Sequence, residues 1–237
     1  YVVDGVFQNY DGIADHEDQG ATDPYTFDRE LEPSPNRYTA PGDFKFKDIN
    51  GDGEITDQDK TYIGDPLPDY TYGAHFSADY RGFGISAAFS GVYGVDVANL
   101  SKYFLYGDVA SHKALDFYND HWSLDNPDSK NHRIGLGSNK NQNMRFSTYY
   151  IEDASYLRLK NLTISYTLSS SLTQRIGVNT CRIYITGQNI LTFTEYSGYD
   201  PEIGSSIGFN PNPLDFGVDV VGYPQPRTYT LGINLNF

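Results

Sequence analysis

Several segments of this chain alternate apolar and polar residues with a period of two, and this alternation constrains the fold more than any other feature. From residue 70 to 80, for example, Tyr, Ala and Phe alternate with Thr, Gly, His, Ser and Asp. A β-strand places successive side chains on opposite faces, so each segment has one apolar and one polar face. The pattern predicts an all-β, antiparallel fold with strands at 70–80, 83–94, 155–168, 180–193 and 225–237.

Short and long connections between these segments alternate along the chain. Outer-membrane β-barrels have short turns on the periplasmic side and long loops outside the cell. The order therefore predicts the strands of a transmembrane β-barrel with a periplasmic C-terminus. The long extracellular segments are then 1–69, 95–148 and 194–223, and the short periplasmic turns are Arg81–Gly82 and 169–179.

Five strands are too few to close such a barrel, so we expect the chain to be an incomplete part of one. Composition agrees, because aromatic residues form 15% of the chain, and tyrosine suits the aromatic girdles of a membrane barrel. No stretch reaches 18 apolar residues, which excludes a transmembrane helix. A tyrosine-rich soluble lectin would have a similar composition, so composition alone does not decide.

One strand changes phase. Leu157 and Leu159 are apolar at odd positions, whereas Leu162 and Ile164 are apolar at even positions. A slip of one residue near Asn161 predicts either a β-bulge or a stretch beyond the membrane.

Most of the net charge of −14 lies in an acidic region at residues 1–69. Nucleic acid is an unsuitable partner, because the chain has no basic stripe to neutralise phosphates. A cation is a more suitable one. Cys181 is the single cysteine, which excludes a disulfide framework and a cysteine-based metal site.

Residues 48–59 match a calcium-binding loop of the EF-hand type. The pattern predicts oxygen ligands at positions 1, 3, 5, 7 and 12 and a glycine at position 6, Gly53, for the sharp turn. Asp59 stands where the usual ligand is a longer glutamate. The alternative is an acidic turn of side-chain-to-backbone hydrogen bonds without an ion. The predicted ligands are Asp48, Asn50, Asp52, the Glu54 carbonyl and Asp59.

No motif supports an enzyme. Gly204, Ser206 and Gly208 have the spacing of a hydrolase nucleophile elbow, but nearby prolines make the required helix improbable. The histidines do not have the spacing of metal ligands.

The long segment 95–148 contains a predicted short amphipathic helix. Ser111 is a possible N-cap, and Leu115, Tyr118 and Trp122 follow at helical spacing. Tyr118, His121 and Trp122 are candidates to contact a ligand or a partner, since aromatic faces stack on sugars and anchor interfaces. The alternative is that this stripe packs against the barrel rim.

Six ordered stretches resemble one family. They include PGDFKFKDINGDGEITDQDKTYIG at 41–64, EDASYLRLKNLTISYTL at 152–168, ITGQNILTFTEYSGYDPE at 185–202 and YPQPRTYTLGINLNF at 223–237. Together with YVVDGVFQN at 1–9 and DPLPDYTYG at 65–73, they resemble the C-terminal region of SusC/RagA-like TonB-dependent transporters of Bacteroidetes.

The resemblance implies a 22-stranded barrel with an N-terminal plug upstream of this sequence. Such transporters import large nutrients, typically oligosaccharides or peptides, with energy from TonB, and usually act with a SusD-like surface lipoprotein. Polar residues on the strands then become candidates for lining the interior, namely His75, Asp79, Arg158 and Lys160. A hypothesis of another class is a soluble, calcium-dependent, carbohydrate-binding β-sandwich.

Overall fold

The computed structural model describes residues 1–19, 39–106, 115–134, 143–203, 216–220 and 222–237. Its contacts divide the chain into two units. Unit 1 comprises Tyr1–Gly64, Ala98–Glu152 and Val218–Val220, and unit 2 comprises Asp65–Val97, Asp153–Gly217 and Val221–Phe237.

The elements are mostly strands, which confirms the predicted all-β class. The strands are β1 (Val3–Val6), β2 (Phe44–Phe46), β3 (Tyr70–Tyr80), β4 (Phe83–Tyr93), β5 (Asp96–Asn99), β6 (Ile151–Asp153), β7 (Tyr156–Thr167), β8 (Thr180–Thr194), β9 (Val218–Asp219) and β10 (Thr228–Asn236). The helices are α1 (Tyr10–Ala14), α2 (Leu100–Tyr106), α3 (Leu115–Asn119) and α4 (Ser170–Thr173), with 3-10 turns at Asp57–Asp59, Thr148–Tyr150 and Gln174–Ile176. Within the described ranges, no helix is long and apolar enough to cross a membrane.

Unit 2 is built on an antiparallel sheet of five strands in the order β10-β8-β7-β4-β3. β3 and β4 form the predicted hairpin, in which Tyr80 pairs with Phe83 across a two-residue turn. Both turn residues have positive φ, 49° at Arg81 and 87° at Gly82, as the mirror-image turns of tight hairpins require. β10 begins at Thr228 rather than at the predicted residue 225, because Pro224 and Pro226 lack the N–H group that a strand donates.

The predicted phase slip is a β-bulge. β4 pairs Ala88 with Asn161 and Phe89 with Leu159, so Lys160 is the extra residue on β7. One inserted residue turns the following side chains to the other face. As a result, Leu159 and Leu162 lie on the same face of the sheet although their positions have opposite parity.

Unit 1 has an aromatic core. β1 pairs antiparallel with β2, and Phe44, Phe46 and Ile55 are buried beside Tyr149. The Phe44 ring lies 4.6 Å from the Tyr149 ring and 5.1 Å from the His132 ring, between centroids. These edge and tilted contacts are the geometries that aromatic quadrupoles favour.

Side chains from distant parts of unit 1 complete the hydrogen bonding of its short strand β2. The Gln19 side chain accepts from the Phe46 amide and donates to the Phe44 carbonyl, at 3.3 and 3.0 Å. The Asn143 side chain accepts from the Phe44 amide at 2.9 Å. A strand of three residues is therefore held by amide side chains as well as by its neighbour β1.

Candidate functional site

One face of the sheet in unit 2 is apolar and exposed across its five strands. Leu231 is 76% exposed and Ile185 is 49% exposed, although both lie in the middle of their strands. β3 and β4 have eleven residues each, which is the length of a tilted strand that spans a bilayer. A contiguous exposed face of this size marks contact with another apolar phase rather than with water.

Aromatic side chains lie at both ends of this apolar face. At one end, Tyr70 of β3 stacks with Tyr93 of β4, with ring centroids 6.4 Å apart. At the other end, Phe83 of β4 lies 4.6 Å from Tyr166 of β7. An apolar band flanked by two aromatic rows is the pattern of a membrane β-barrel.

The opposite face is polar and hydrogen-bonded between strands. The Arg182 guanidinium donates to the Ser165 hydroxyl at 2.9 Å, and Thr163 and Thr186 share a hydroxyl contact of 2.9 Å. The predicted residues His75 and Asp79 lie on this face of β3, where His75 Nε2 is 3.1 Å from the Ser86 hydroxyl.

The other two predicted lining residues, Arg158 and Lys160, meet in an ion cluster with two carboxylates. Arg158 Nη2 lies 2.5 Å from Asp200 Oδ1, and Nη1 lies 2.9 Å from Glu202 Oε2. Lys160 Nζ lies 2.6 Å from the same Glu202 oxygen. The Arg158 side chain is only 3% exposed, so its charge is compensated by these carboxylates rather than by solvent.

Asp200 is the more buried carboxylate of this cluster, with a side chain that is 12% exposed against 36% for Glu202. Burial disfavours its charged form, but hydrogen bonds from Arg158 and from the amides of Gln225 and Glu202 outweigh burial and hold the pKa of the Asp200 carboxyl below its usual value. The carboxylate is therefore charged at neutral pH.

Sequence reasoning did not single out Asp200, Glu202 or Gln225. They lie in irregular segments, where periodicity carries no signal, and their role depends on the strand register that brings Arg158 beside them. The only available signal was the family resemblance, whose quoted stretches contain all three residues.

In the structure, the acidic loop 48–59 is a closed network of hydrogen bonds from side chains to backbone. Asp48 accepts from the amides of Gly51 and Gly53 at 2.6 and 2.9 Å. Asp52 and Asn50 bond to each other and to nearby amides. The tight turn uses positive φ at both glycines, 77° at Gly51 and 88° at Gly53.

Asp59 closes this loop from its far end. It accepts from the amides of Thr56 and Ile49, and these hydrogen bonds hold the pKa of its carboxyl below its usual value. Among the described residues, which include all of 48–59, no three acidic, His or Cys side chains converge as a metal-binding group. The donor chemistry suits calcium, but the geometry is that of the hydrogen-bonded turn, and the calcium site stays a prediction.

The three aromatic candidates of segment 95–148 are placed differently from one another. α3 ends at Asn119, so Trp122 lies beyond the helix, and it is buried with its indole N–H donating to the Gln8 side chain at 3.1 Å. Tyr118 is 60% exposed, and its carbonyl is 2.7 Å from His121 Nδ1. Tyr118 and His121 therefore lie at the surface of unit 1, whereas Trp122 is part of its interior.

The Trp122 ring packs so closely over Gly42 that a Cβ on this glycine would lie 2.4 Å from it.

Two other sequence predictions fall outside the described residues. They are the Ser111 helix cap and the Gly204-x-Ser206-x-Gly208 stretch.

The chain is similar to TonB-dependent receptors. It is 36% identical over 198 residues to TonB-dependent receptor P3 of Formosa agariphila, which covers 83% of this chain and 19% of that protein. It is 31% identical over 198 residues to the TonB-dependent receptor SusC of Bacteroides thetaiotaomicron, covering 81% of this chain and 17% of that protein. The chain thus spans about a fifth of the length of these relatives. No protein-family model matches it.

Solved structures of a transporter resemble the fold. The RagAB peptide importer in its open-open state aligns with a TM-score of 0.64 and 26% identity, over 85% of this chain and 21% of that one. The structure of the RagAB peptide transporter aligns with a TM-score of 0.62 and 27% identity, over 78% of this chain and 19% of that one. These relatives are described as receptors, transporters or importers, not as enzymes.

Proposed function

Because this chain belongs to the SusC/RagA-like TonB-dependent transporters, of which it is a C-terminal part, we propose that it forms barrel wall and outer loops of an outer-membrane importer. The observation that carries this proposal is the exposed apolar face of the five-stranded sheet, with aromatic rows at both ends. Lipid covers that face, and the polar face lines the interior through which nutrient passes. The transporter has no catalytic role.

The same face argues against the soluble β-sandwich. In a sandwich, the apolar faces of two sheets pack together about 10 Å apart and exclude water. Here Ile233 at the middle of β10 is 61% exposed, and Phe76 at the middle of β3 is 57% exposed. Burying this face in hydrocarbon removes the cost of exposing it to water.

The proposal can be tested by introducing single cysteines and labelling them on whole cells with a bulky, membrane-impermeant maleimide. In a Cys181→Ser background, a cysteine at Leu124, which is 88% exposed, should label on intact cells. A cysteine at Leu172, which is 53% exposed, should label only after the outer membrane is permeabilised. This follows if 95–148 is extracellular and 169–179 periplasmic.

The matched control is the parent in which Cys181→Ser is combined with replacement of any cysteine elsewhere in the full-length transporter, and it should not label. Labelling at Leu172 but not at Leu124 on intact cells would invert the topology. Equal labelling of both positions in protein recovered from a soluble fraction would replace the barrel with the sandwich.

The proposed partner is a SusD-like surface lipoprotein bound through the long outer segments. The support is the similarity to SusC together with the predicted placement of the long connections on one side of the membrane. The cargo is an oligosaccharide or a peptide, and TonB acts through parts of the transporter outside this chain. Affinity purification of the tagged full-length transporter from native membranes should recover such a lipoprotein in near-equal amount. Recovery of the transporter alone, in a mild detergent that keeps a known transporter complex intact, would count against the partnership.

Calcium is the proposed cofactor of the loop 48–59, with Asp48, Asn50, Asp52, Asp59 and the Glu54 carbonyl as ligands. Calcium would have to displace the amide hydrogen bonds that the carboxylates make here, so binding should rearrange the loop. Isothermal titration of the intact transporter should show binding that Asp48→Ala with Asp52→Ala removes. Asp11→Ala with Asp15→Ala makes the same charge change at exposed residues of α1 and its C-cap and should leave binding intact. Equal binding by both double variants would exclude the site.

A further inference from the structure

After β8 ends, residues 195–203 turn back over the polar face of the sheet in unit 2. The contact that shows this is the ion cluster, because Arg158 lies on that face, paired with Ser90 of β4 and Thr192 of β8. Its guanidinium donates to Thr192, Asp200 and Glu202 at 3.0, 2.5 and 2.9 Å. All three guanidinium nitrogens thus donate, each to a different residue, and this fixed donor geometry holds the carboxylates in place.

An apolar contact fixes the same residues a second time. Tyr196 is 5% exposed and packs with Val97 and Ala154, and Ile203 joins this cluster at the other end of the segment. The charged residues Asp200 and Glu202 lie between these two apolar positions. Residues 195–203 are therefore attached at both ends and in the middle.

The segment that leads into β10 is attached to the same carboxylate. Pro224 and Pro226 cannot donate to a strand ladder, and the amide between them, that of Gln225, donates to Asp200 Oδ2 at 2.8 Å. The Asn189 side chain, at a positive φ of 52° in β8, donates to the Pro226 carbonyl at 3.2 Å. Asp200 thus joins the two arms of the connection between β8 and β10. One arm is residues 195–203, which follow β8, and the other is residues 222–227, which lead into β10.

We propose that residues 195–203 form a fixed strap over the interior face of the barrel, and that Arg158 is the positioning residue that holds both arms of the β8–β10 connection to the wall. The strap makes this part of the connection a permanent lining of the passage and not a gate that moves during import. This inference rests on the proposed function for its meaning in transport, while the attachment itself is a property of unit 2.

The charges of the cluster support a fixed attachment. Two cations face two carboxylates, so the strap neutralises the basic side chains that the wall would otherwise present to cargo. The inner pair, Arg158 with Asp200, is 3% and 12% exposed, whereas Lys160 and Glu202 are 33% and 36% exposed. Solvent and salt screen the inner pair less than the outer one, so the inner pair holds the strap.

Hydrogen exchange of the full-length transporter, followed by mass spectrometry, tests the strap. In Arg158→Gln, peptides covering 199–203 and 222–227 should exchange at least tenfold faster, while β3 and β4 stay protected. Arg182→Gln is the matched control, because Arg182 lies on the same face but donates to Ser165 rather than to the strap. Arg158→Lys keeps the charge with fewer donors and should give exchange between that of the parent and that of Arg158→Gln.

Unchanged exchange at 199–203 and 222–227 in a folded Arg158→Gln transporter would overturn the proposal. If that variant does not fold, Asp200→Ala is the second test, and it should speed exchange of the Gln225 amide while leaving Arg158 bonded to Glu202. Cysteine labelling on cells shows on which side of the membrane a residue lies, whereas hydrogen exchange measures how firmly the strap is attached. The strap and the barrel assignment can therefore fail independently.

Discussion

Ile233→Arg should destabilise the full-length transporter in phospholipid vesicles by about 2 to 4 kcal/mol if the residue lies at the bilayer midplane. Ile233 lies on the apolar face of β10, opposite Ile183 of β8, and is 61% exposed. Hydrocarbon solvates that face, and an arginine there loses its hydration without gaining a partner. The measurement is the apparent free energy of unfolding in urea, in vesicles of a single phosphatidylcholine.

Asn234→Arg is the matched control, one residue along the same strand. Asn234 lies on the polar face opposite Arg182, so the new charge meets water and a like charge rather than hydrocarbon. We expect a cost of less than about 1 kcal/mol from it, since surface substitutions seldom exceed that. Equal costs at the two positions would contradict a sheet with lipid on one face only.

The two faces of the sheet could be predicted from sequence because alternation is a local property. Tyr70 to Tyr80 defines both faces of β3 without reference to any other segment. The bulge was also predictable, since one residue inserted at Lys160 shifts the apolar positions from odd to even. Lipid exposure made the signal strong, because an apolar solvent on one side selects apolar residues along a whole strand.

The ion cluster could not be predicted in the same way. The alternation predicts Arg158 and Lys160 as polar residues on a strand, but their carboxylate partners lie 42 to 44 residues away in an irregular segment. Only the paired register of β7 and β8, followed by the return of residues 195–203, brings the charges together. Such a contact depends on tertiary structure and leaves no period in the sequence.

Unit 1 was the least predictable part for a related reason. Its strands β1 and β2 have four and three residues, which are too few to show a period. The spacing of the sequence predicts Trp122 on a helical stripe, but α3 ends at Asn119 and the Trp122 amide donates to the Asn131 carbonyl at 3.1 Å. Distant residues such as Gln8 and Gly42 determine its burial.

A buried ion pair in unit 1 gives the second large expected effect. Asp43 is fully buried, and Arg133 donates to its two carboxylate oxygens at 2.7 and 3.0 Å. The Asn143 side chain and the Ala40 amide also donate to it, at 2.9 and 2.8 Å. The carboxylate therefore joins segments that lie 90 to 100 residues apart.

Arg133→Gln should lower the local free energy of opening around Asp43 by about 3 to 5 kcal/mol at pH 8, because it leaves a buried carboxylate without its cation. The readout is native-state hydrogen exchange of the Phe44 amide, which donates to Asn143, in the full-length transporter. Lys45→Gln is the control, since its contact with Asp4 is exposed and 3.9 Å long, and it should cost less than about 1 kcal/mol.

The cost of Arg133→Gln should also depend on pH in a definite direction. Burial raises the pKa of Asp43 to about 6 even though Arg133 favours its charged form, and loss of the arginine can only raise this pKa further. A group with a raised pKa in the folded state contributes most stability at low pH, and this contribution is lost as the pH rises through that pKa.

At pH 5, Asp43 is largely protonated in both proteins and needs no cation, so the difference in stability between them should shrink. Above about pH 6 the parent carboxylate ionises against Arg133, whereas the variant must ionise it without that arginine or keep its proton. A cost that is the same at pH 5 and pH 8 would mean that Arg133 acts through packing rather than through its charge.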